Sequence, residues 1–175
     1  MQNIKIHENF LLEEEFKHIQ KHFLSDLANE YVNTPQLNWH LTPILDEKET
    51  ICKPSYNKQL THVFYDHNRP MSHMFDLLNP LLKNIQIKSL IRIKANLLFK
   101  THEKITHGMH NDVDFNCTTA VFYINSNNGE TVFENGDTVK SKANTLVEFP
   151  SSLKHSGTTN DCEEPYRVVL NLNYF

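Results

Sequence analysis

Hydrophobic residues in the first half of the chain recur with helical spacing. From Leu11 to Leu27 the apolar set Leu12, Phe16, Ile19, Phe23 and Leu27 returns every three or four positions. That period predicts an amphipathic helix with one core-facing stripe. Asn9 is a candidate N-cap, and Glu13, Glu14 and Glu15 fall in the first turn, where the helix dipole favours acids. A second helix is predicted from about Ser72 to Asn84, carrying Met74, Phe75, Leu78, Leu81 and Leu82. Pro80 lies inside it and marks a kink or a fresh start. Short strands are expected between the helices, near Gln36–Leu45 and Leu60–Tyr65.

Near residue 88 the period changes from helical to alternating. In Leu90–Phe99, Ile91, Ile93, Ala95, Leu97 and Phe99 fall on one face, and Arg92, Lys94 and Asn96 on the other. Further strands are predicted at Thr118–Asn125, Thr131–Phe133, Thr138–Lys140, Thr145–Phe149 and Tyr166–Tyr174. Turn residues separate them: Ser126-Asn127-Asn128-Gly129, Asn135-Gly136-Asp137 and Pro150-Ser151-Ser152. Many short strands with frequent turns predict a sandwich or jelly roll, with the N-terminal helices covering one outer sheet face. The apolar face of Leu90–Phe99 is the natural partner of those helices. Its polar face points into a barrel mouth or simply to water, and the strand alone does not decide between them.

Composition narrows the class without changing this outline. A chain of 175 residues fits one domain with a core of its own. We expect one domain over 1–175, with helical support and outer strands over 1–87 and a β core over 88–175. Apolar residues make up 39% and the formal charge is −4, so the electrostatic footprint of a nucleic-acid-binding protein is missing. Cys52, Cys117 and Cys162 are odd in number and widely spaced, which argues against a disulfide scaffold or a cysteine zinc site. The N-terminus is acidic where a signal peptide would be apolar, and no apolar run reaches the length of a membrane span. A soluble, cytoplasmic protein without membrane partners is the expectation.

Eleven histidines raise the question of a metal. His110 and Asp112 stand two residues apart, so on a strand they present an imidazole and a carboxylate to the same side. A third ligand from a distant strand would complete the face of two histidines and one carboxylate that leaves three positions open on non-haem Fe(II). An HxD pair alone is a weak signal in a histidine-rich chain. What strengthens it is order: His155 follows within the same meander, and Arg167 comes twelve residues later at the start of the last strand. A guanidinium there can hold a dicarboxylate through two parallel hydrogen bonds. Among the alternatives, His107 has Met109 at i+2 and is a poor ligand candidate. Asp114 shares the parity of Asp112 and suits a substrate or supporting role. His40, His62, His67, His73 and His102 lie outside the meander and read as surface or core residues. His62 or Tyr65 on a cleft-flanking strand is a weaker substrate-contact candidate. Gly129 is expected to serve the fold by allowing positive φ. Cys117 and Cys162 show no nucleophile arrangement.

Four stretches resemble one family. His110-Asn111-Asp112 matches its HxD. Phe122-Tyr123-Ile124-Asn125 with Gly129-Glu130-Thr131-Val132-Phe133 matches its YLN…GGxTxF pattern, with Asn128 in place of the first glycine. Asn144-Thr145-Leu146-Val147-Glu148-Phe149 followed by His155-Ser156-Gly157 matches the region of the distal histidine. Tyr166-Arg167-Val168-Val169-Leu170-Asn171 matches the final strand. From about Leu90 to Phe175 the chain looks like the double-stranded β-helix (jelly-roll, cupin-like) core of the Fe(II)/2-oxoglutarate oxygenases. It is most similar to small prolyl-4-hydroxylase-like members, some of them encoded by bacteriophages and expected to act in the host cytoplasm.

The resemblance implies iron on His110, Asp112 and His155, and 2-oxoglutarate anchored by Arg167. It also implies O₂ as oxidant, ascorbate as an optional addition, and hydroxylation of a C–H bond with release of succinate and CO₂. A peptidyl prolyl residue is the first substrate expectation. A free amino acid, small metabolite or nucleobase is the second, and a non-catalytic jelly-roll binding protein is the third. Oligomeric state is open. Departures are visible too. Arg167 stands where collagen-type enzymes usually have Lys, and Val169 stands where many members have a hydroxyl residue. No tyrosine occurs in Leu90–Phe99, so Asn96 is the candidate polar contact for the co-substrate.

Overall fold

The computed structural model describes residues 4–24, 37–44 and 58–175. In chain order the elements are β1 (Lys5–Glu8), α1 (Glu13–Leu24), β2 (His40–Pro43), β3 (Lys58–Asp66), β4 (Arg69–Pro70), a 3₁₀ turn (Phe75–Leu78) and α2 (Asn79–Asn84). There follow β5 (Leu90–Phe99), β6 (Thr118–Tyr123), β7 (Glu130–Phe133), β8 (Thr138–Lys140), β9 (Thr145–Pro150), β10 (His155–Gly157) and β11 (Tyr166–Tyr174). The main sheet runs β1-β9-β6-β11-β5-β3-β2, with β4 paired to β3, and a smaller sheet runs β10-β7-β8. All these pairings are antiparallel. Bridges from Thr106 to Thr158 and from His110 to His155 lay residues 106–110 along the free edge of β10. The result is the jelly-roll, double-stranded β-helix expected from the sequence.

The main sheet buries both faces. On its outer face Phe16, Ile19 and Phe23 of α1 and Leu77, Leu78 and Leu81 of the second helical segment share one core with Ile93, Ala95, Leu97, Leu170 and Leu172. Between the sheets a second core gathers Val121, Tyr123, Phe133, Phe149, Leu153 and Val169. The alternation of β5 and β11 therefore separates two interiors rather than an interior from water.

Several local expectations are corrected. Asn9 is not an N-cap: it turns the chain with φ 51°, and the helix begins at Glu13. The entry to α1 is held instead by the Asn144 side chain, which accepts from Leu11 N–H at 2.9 Å and donates to Leu11 C=O at 2.9 Å. Leu12 is 74% exposed, and Leu11 takes the core position. Leu27 lies outside the described residues. The second helix divides at Pro80, which starts α2 because it needs no N–H partner there. Residues 36 and 45 of one predicted strand are also outside the described residues, and of its described part, 37–44, only His40–Pro43 is strand, β2. Phe99 ends β5 half-exposed, not in the core. The short strands β1 and β10 went unpredicted, since four and three residues carry too little periodicity.

Candidate metal and co-substrate site

His110 and His155 are cross-strand partners, with backbone bonds in both directions at 2.9 and 3.0 Å. Their rings consequently lie side by side, with centroids 4.9 Å apart. Asp112 follows where regular strand geometry has already ended. Two contacts return its carboxylate to the histidines. Asn111 donates to Ser151 C=O at 2.6 Å, and Arg92 Nη2 reaches both Asp112 C=O and Asp112 Oδ1 at 3.3 Å. The i, i+2 spacing therefore works here through a tethered bend rather than a continuous strand.

The three side chains converge. One ligand atom from each of His110, Asp112 and His155 falls within 4.8 Å of the others. His110 Nε2 lies 3.9 Å from Asp112 Oδ1, and His155 Nε2 lies 4.0 Å from Asp112 Oδ2. Both separations are too long for hydrogen bonds and within reach of a shared cation. His110 Nδ1 lies 3.1 Å from Gly108 C=O, an orientation that leaves Nε2 for the site. Asp112 Oδ2 is buried without a hydrogen-bond partner. An unpaired buried carboxylate oxygen is expensive, and a divalent ion would satisfy it. Two imidazoles and one carboxylate suit Fe(II).

Electrostatics support the same conclusion. Burial alone would raise the Asp112 pKa, but His155, Arg92, His110 and Lys94 together hold it below the usual carboxylate value. Burial lowers His155 to about 4 against the pull of Asp112. The pair is thus a carboxylate beside a neutral imidazole, the protonation state metal binding requires.

Deeper in the same cavity, Arg167 is 2% exposed and forms no ion pair among the described residues. Its Nε donates to Ser141 Oγ at 2.6 Å and its Nη2 to Thr131 Oγ1 at 3.2 Å, while the guanidinium sits 5.6 Å from the Tyr123 ring centre. Burial lowers its pKa, opposed chiefly by Tyr123. Thr131 Oγ1 also accepts from the Tyr123 hydroxyl at 2.8 Å. Having accepted twice, Thr131 keeps its own proton for another acceptor. It supplies beside Arg167 the hydroxyl that Val169 lacks. Sequence reasoning missed Thr131, Ser141 and Tyr123 as site residues. The signal was the parity of Thr131 on its strand, readable only once the facing strand was known.

Gly129 is explained differently from expectation. Its φ is not positive; the one described glycine with positive φ is Gly136. A Cβ at Gly129 would stand 2.6 Å from Arg167 Cδ and 2.8 Å from Asn127 Oδ1. The residue makes room for the buried arginine.

The cavity is about 320 Å³ and opens beside the triad. Arg92, Lys94 and Asn96 line it, so the polar face of β5 points inward. Asn96 Oδ1 is buried there without a partner. Thr42, Gln59 and Thr61 from β2 and β3 form part of the wall. His107 lines the cavity without joining the triad, and Asp114 belongs to a separate hollow formed by residues 111–116, Ser151 and Ser152. His62 is buried and satisfied, with Nδ1 2.9 Å from Asn38 C=O and Nε2 2.8 Å from Ser72 Oγ. Tyr65 packs on Phe75 on the helix side of the sheet.

No family model and no curated protein matches the sequence. Solved structures share its fold. A 2OG-Fe(II) oxygenase family oxidoreductase from Burkholderia pseudomallei aligns with 98% of this chain and 84% of its own, with TM-score 0.64 and 14% identity. A prolyl hydroxylase from Trichoplax adhaerens, in complex with a hypoxia inducible factor oxygen degradation domain peptide fragment, aligns over 100% and 84%, with TM-score 0.60 and 16% identity. A prolyl-4-hydroxylase from Pseudomonas putida aligns over 99% and 92%, with TM-score 0.57 and 15% identity. The fold is the one these oxygenases use. No helix among the described residues is long and apolar enough to cross a membrane.

Proposed function

We propose that the whole chain acts as one Fe(II)- and 2-oxoglutarate-dependent dioxygenase domain that hydroxylates an unactivated C–H bond. The observation that carries this reading is the pairing of two unsatisfied features in one cavity. At one end is a buried carboxylate oxygen flanked by two imidazoles, and at the other a buried guanidinium without a counter-ion. A divalent metal and a diacid resolve both.

In this reading His110, Asp112 and His155 hold the iron. Arg167 and Thr131 bind the distal carboxylate of 2-oxoglutarate by charge-assisted hydrogen bonds. Asn96 contacts the co-substrate from β5. Iron with 2-oxoglutarate and O₂ supplies oxidative decarboxylation to succinate and CO₂ coupled to C–H hydroxylation. The protein supplies orientation and exclusion of water. Arg92 fixes the Asp112 carboxylate, and Ser141 and Gly129 fix the Arg167 side chain. A peptidyl residue, proline first, is the favoured substrate class, supported by the peptide complex of a neighbour with this fold.

Carboxyl-labelled 2-oxoglutarate tests the reaction before any substrate is known. Labelled CO₂ should be released in air, in proportion to added Fe(II), and His155→Ala should stop it. Release that is equal without iron, or unchanged in His155→Ala, contradicts the proposal.

A further inference from the structure

One charged group in the cavity has no task in the proposed reaction. Lys94 lies on β5 between Arg92 and Asn96, and its side chain forms part of the cavity wall. It is partly buried; burial and the Arg92 charge lower its pKa, against the attraction of Asp112. No carboxylate among the described residues pairs with it, because the ion pair at this end joins Asp112 to Arg92. A partly buried ammonium with no counter-ion is costly, and an apolar side chain of equal length would avoid that cost.

Charge balance shows what is missing. Among the described cavity-lining residues Arg92, Lys94 and Arg167 are cationic and Asp112 alone is acidic. With metal and co-substrate in place, the ion is neutralised by Asp112 and one carboxylate of 2-oxoglutarate, and Arg167 by the other. Arg92 keeps its contact with Asp112, and Lys94 still lacks a counter-ion. The strand register separates the two ends of the cavity. Leu98 pairs with Arg167 and Lys94 with Asn171, four residues along β11, or roughly 13 Å at the usual strand rise. The distal carboxylate of a five-carbon diacid anchored at Arg167 lies out of reach of Lys94, which stands toward the Asp112 end.

We infer that Lys94, with Arg92 beside it, is a substrate-recognition site for a carboxylate close to the carbon that is hydroxylated. The substrate is then a free amino acid or a peptide residue with an acidic neighbour. The inference rests on the oxygenase reading and deepens it.

The test uses the full chain with Fe(II) and 2-oxoglutarate under argon, where the complex gives a weak visible charge-transfer band. Shifts of that band report binding of matched probes. One arm sets free L-amino acids against their carboxamides. The other sets end-blocked Asp-Pro and Glu-Pro peptides against their Asn and Gln counterparts. The carboxylate member of a pair should bind about tenfold tighter or more. Lys94→Met should erase the difference, Lys94→Arg should keep most of it, and 2-oxoglutarate affinity should change little in either. The arm that discriminates identifies the source of the carboxylate. A normal band with no discrimination in either arm overturns the inference and leaves the oxygenase reading standing. So does a Lys94→Met variant that loses 2-oxoglutarate affinity instead. Absence of the band in wild type removes both.

Discussion

The two faces of the main sheet are built from the same strands and obey different rules. On the helix side Ile93, Ala95 and Leu97 of β5 and Val168, Leu170 and Leu172 of β11 lock into one apolar core. There the alternation, burial and packing all favour the same structure. On the other side the same strands present Arg92, Lys94, Asn96, Arg167 and Asn171 to a cavity. Arg92 Nε and Asn96 Oδ1 are buried there without partners, as is Asp112 Oδ2 on the facing loop. Such atoms work against stability, at about 1–3 kcal/mol each. The difference locates function: one face is complete without a ligand, and the other becomes complete only with one.

Substitutions on the two faces should therefore separate binding from folding. The largest expected effect is on the cavity side. Asp112→Asn should weaken iron binding at least about 100-fold, more than the loss of a supporting contact causes. The apoprotein should melt within about 2–4 °C of wild type, the shift that roughly 1 kcal/mol produces at this size. Dialysis against Fe(II) and a thermal scan measure the two. Ile19→Ala on the helix side should do the reverse. It removes a fully buried side chain and should cost about 3 kcal/mol of stability, with iron affinity of the folded protein unchanged.

Acid should act on the cavity side as well. His155 titrates near 4 in the fold and near 6.5 when unfolded. The unfolded chain thus takes up the proton first, and its contribution to stability, present above about pH 6.5, is lost as pH falls through about 4. Denaturant titrations of the apoprotein should show a loss on the order of 3 kcal/mol across that window, and His155→Gln should flatten it. The smallest effect belongs to Thr131→Val. Losing one hydroxyl beside Arg167 should weaken 2-oxoglutarate by about fivefold, roughly 1 kcal/mol, without affecting iron.

The sequence made these faces legible to different degrees. Strands β5, β8 and β11 were readable with their ends because alternation extends over most of them or turn residues bracket them closely. The triad was readable from an HxD and a later histidine in one meander. The surroundings of Arg167 were not. Thr131 reaches it from β7 of the smaller sheet and Ser141 from the residue after β8, and no local pattern records which strands face each other. Gly129 shows the same limit: its need for an absent side chain comes from Arg167, 38 positions later in the chain. The direction of Lys94 was undecided because a polar strand face has the same sequence whether it meets water or a cavity.

In the proposed reaction one cavity holds a metal at His110, Asp112 and His155 and a diacid at Arg167. Anaerobic titration with Fe(II) and then 2-oxoglutarate tests it most directly through the visible charge-transfer band. Wild type should develop the band, His110→Ala should not, and Arg167→Met should bind iron yet require far more 2-oxoglutarate. A band that survives in His110→Ala, or 2-oxoglutarate bound as tightly by Arg167→Met as by wild type, would contradict the account.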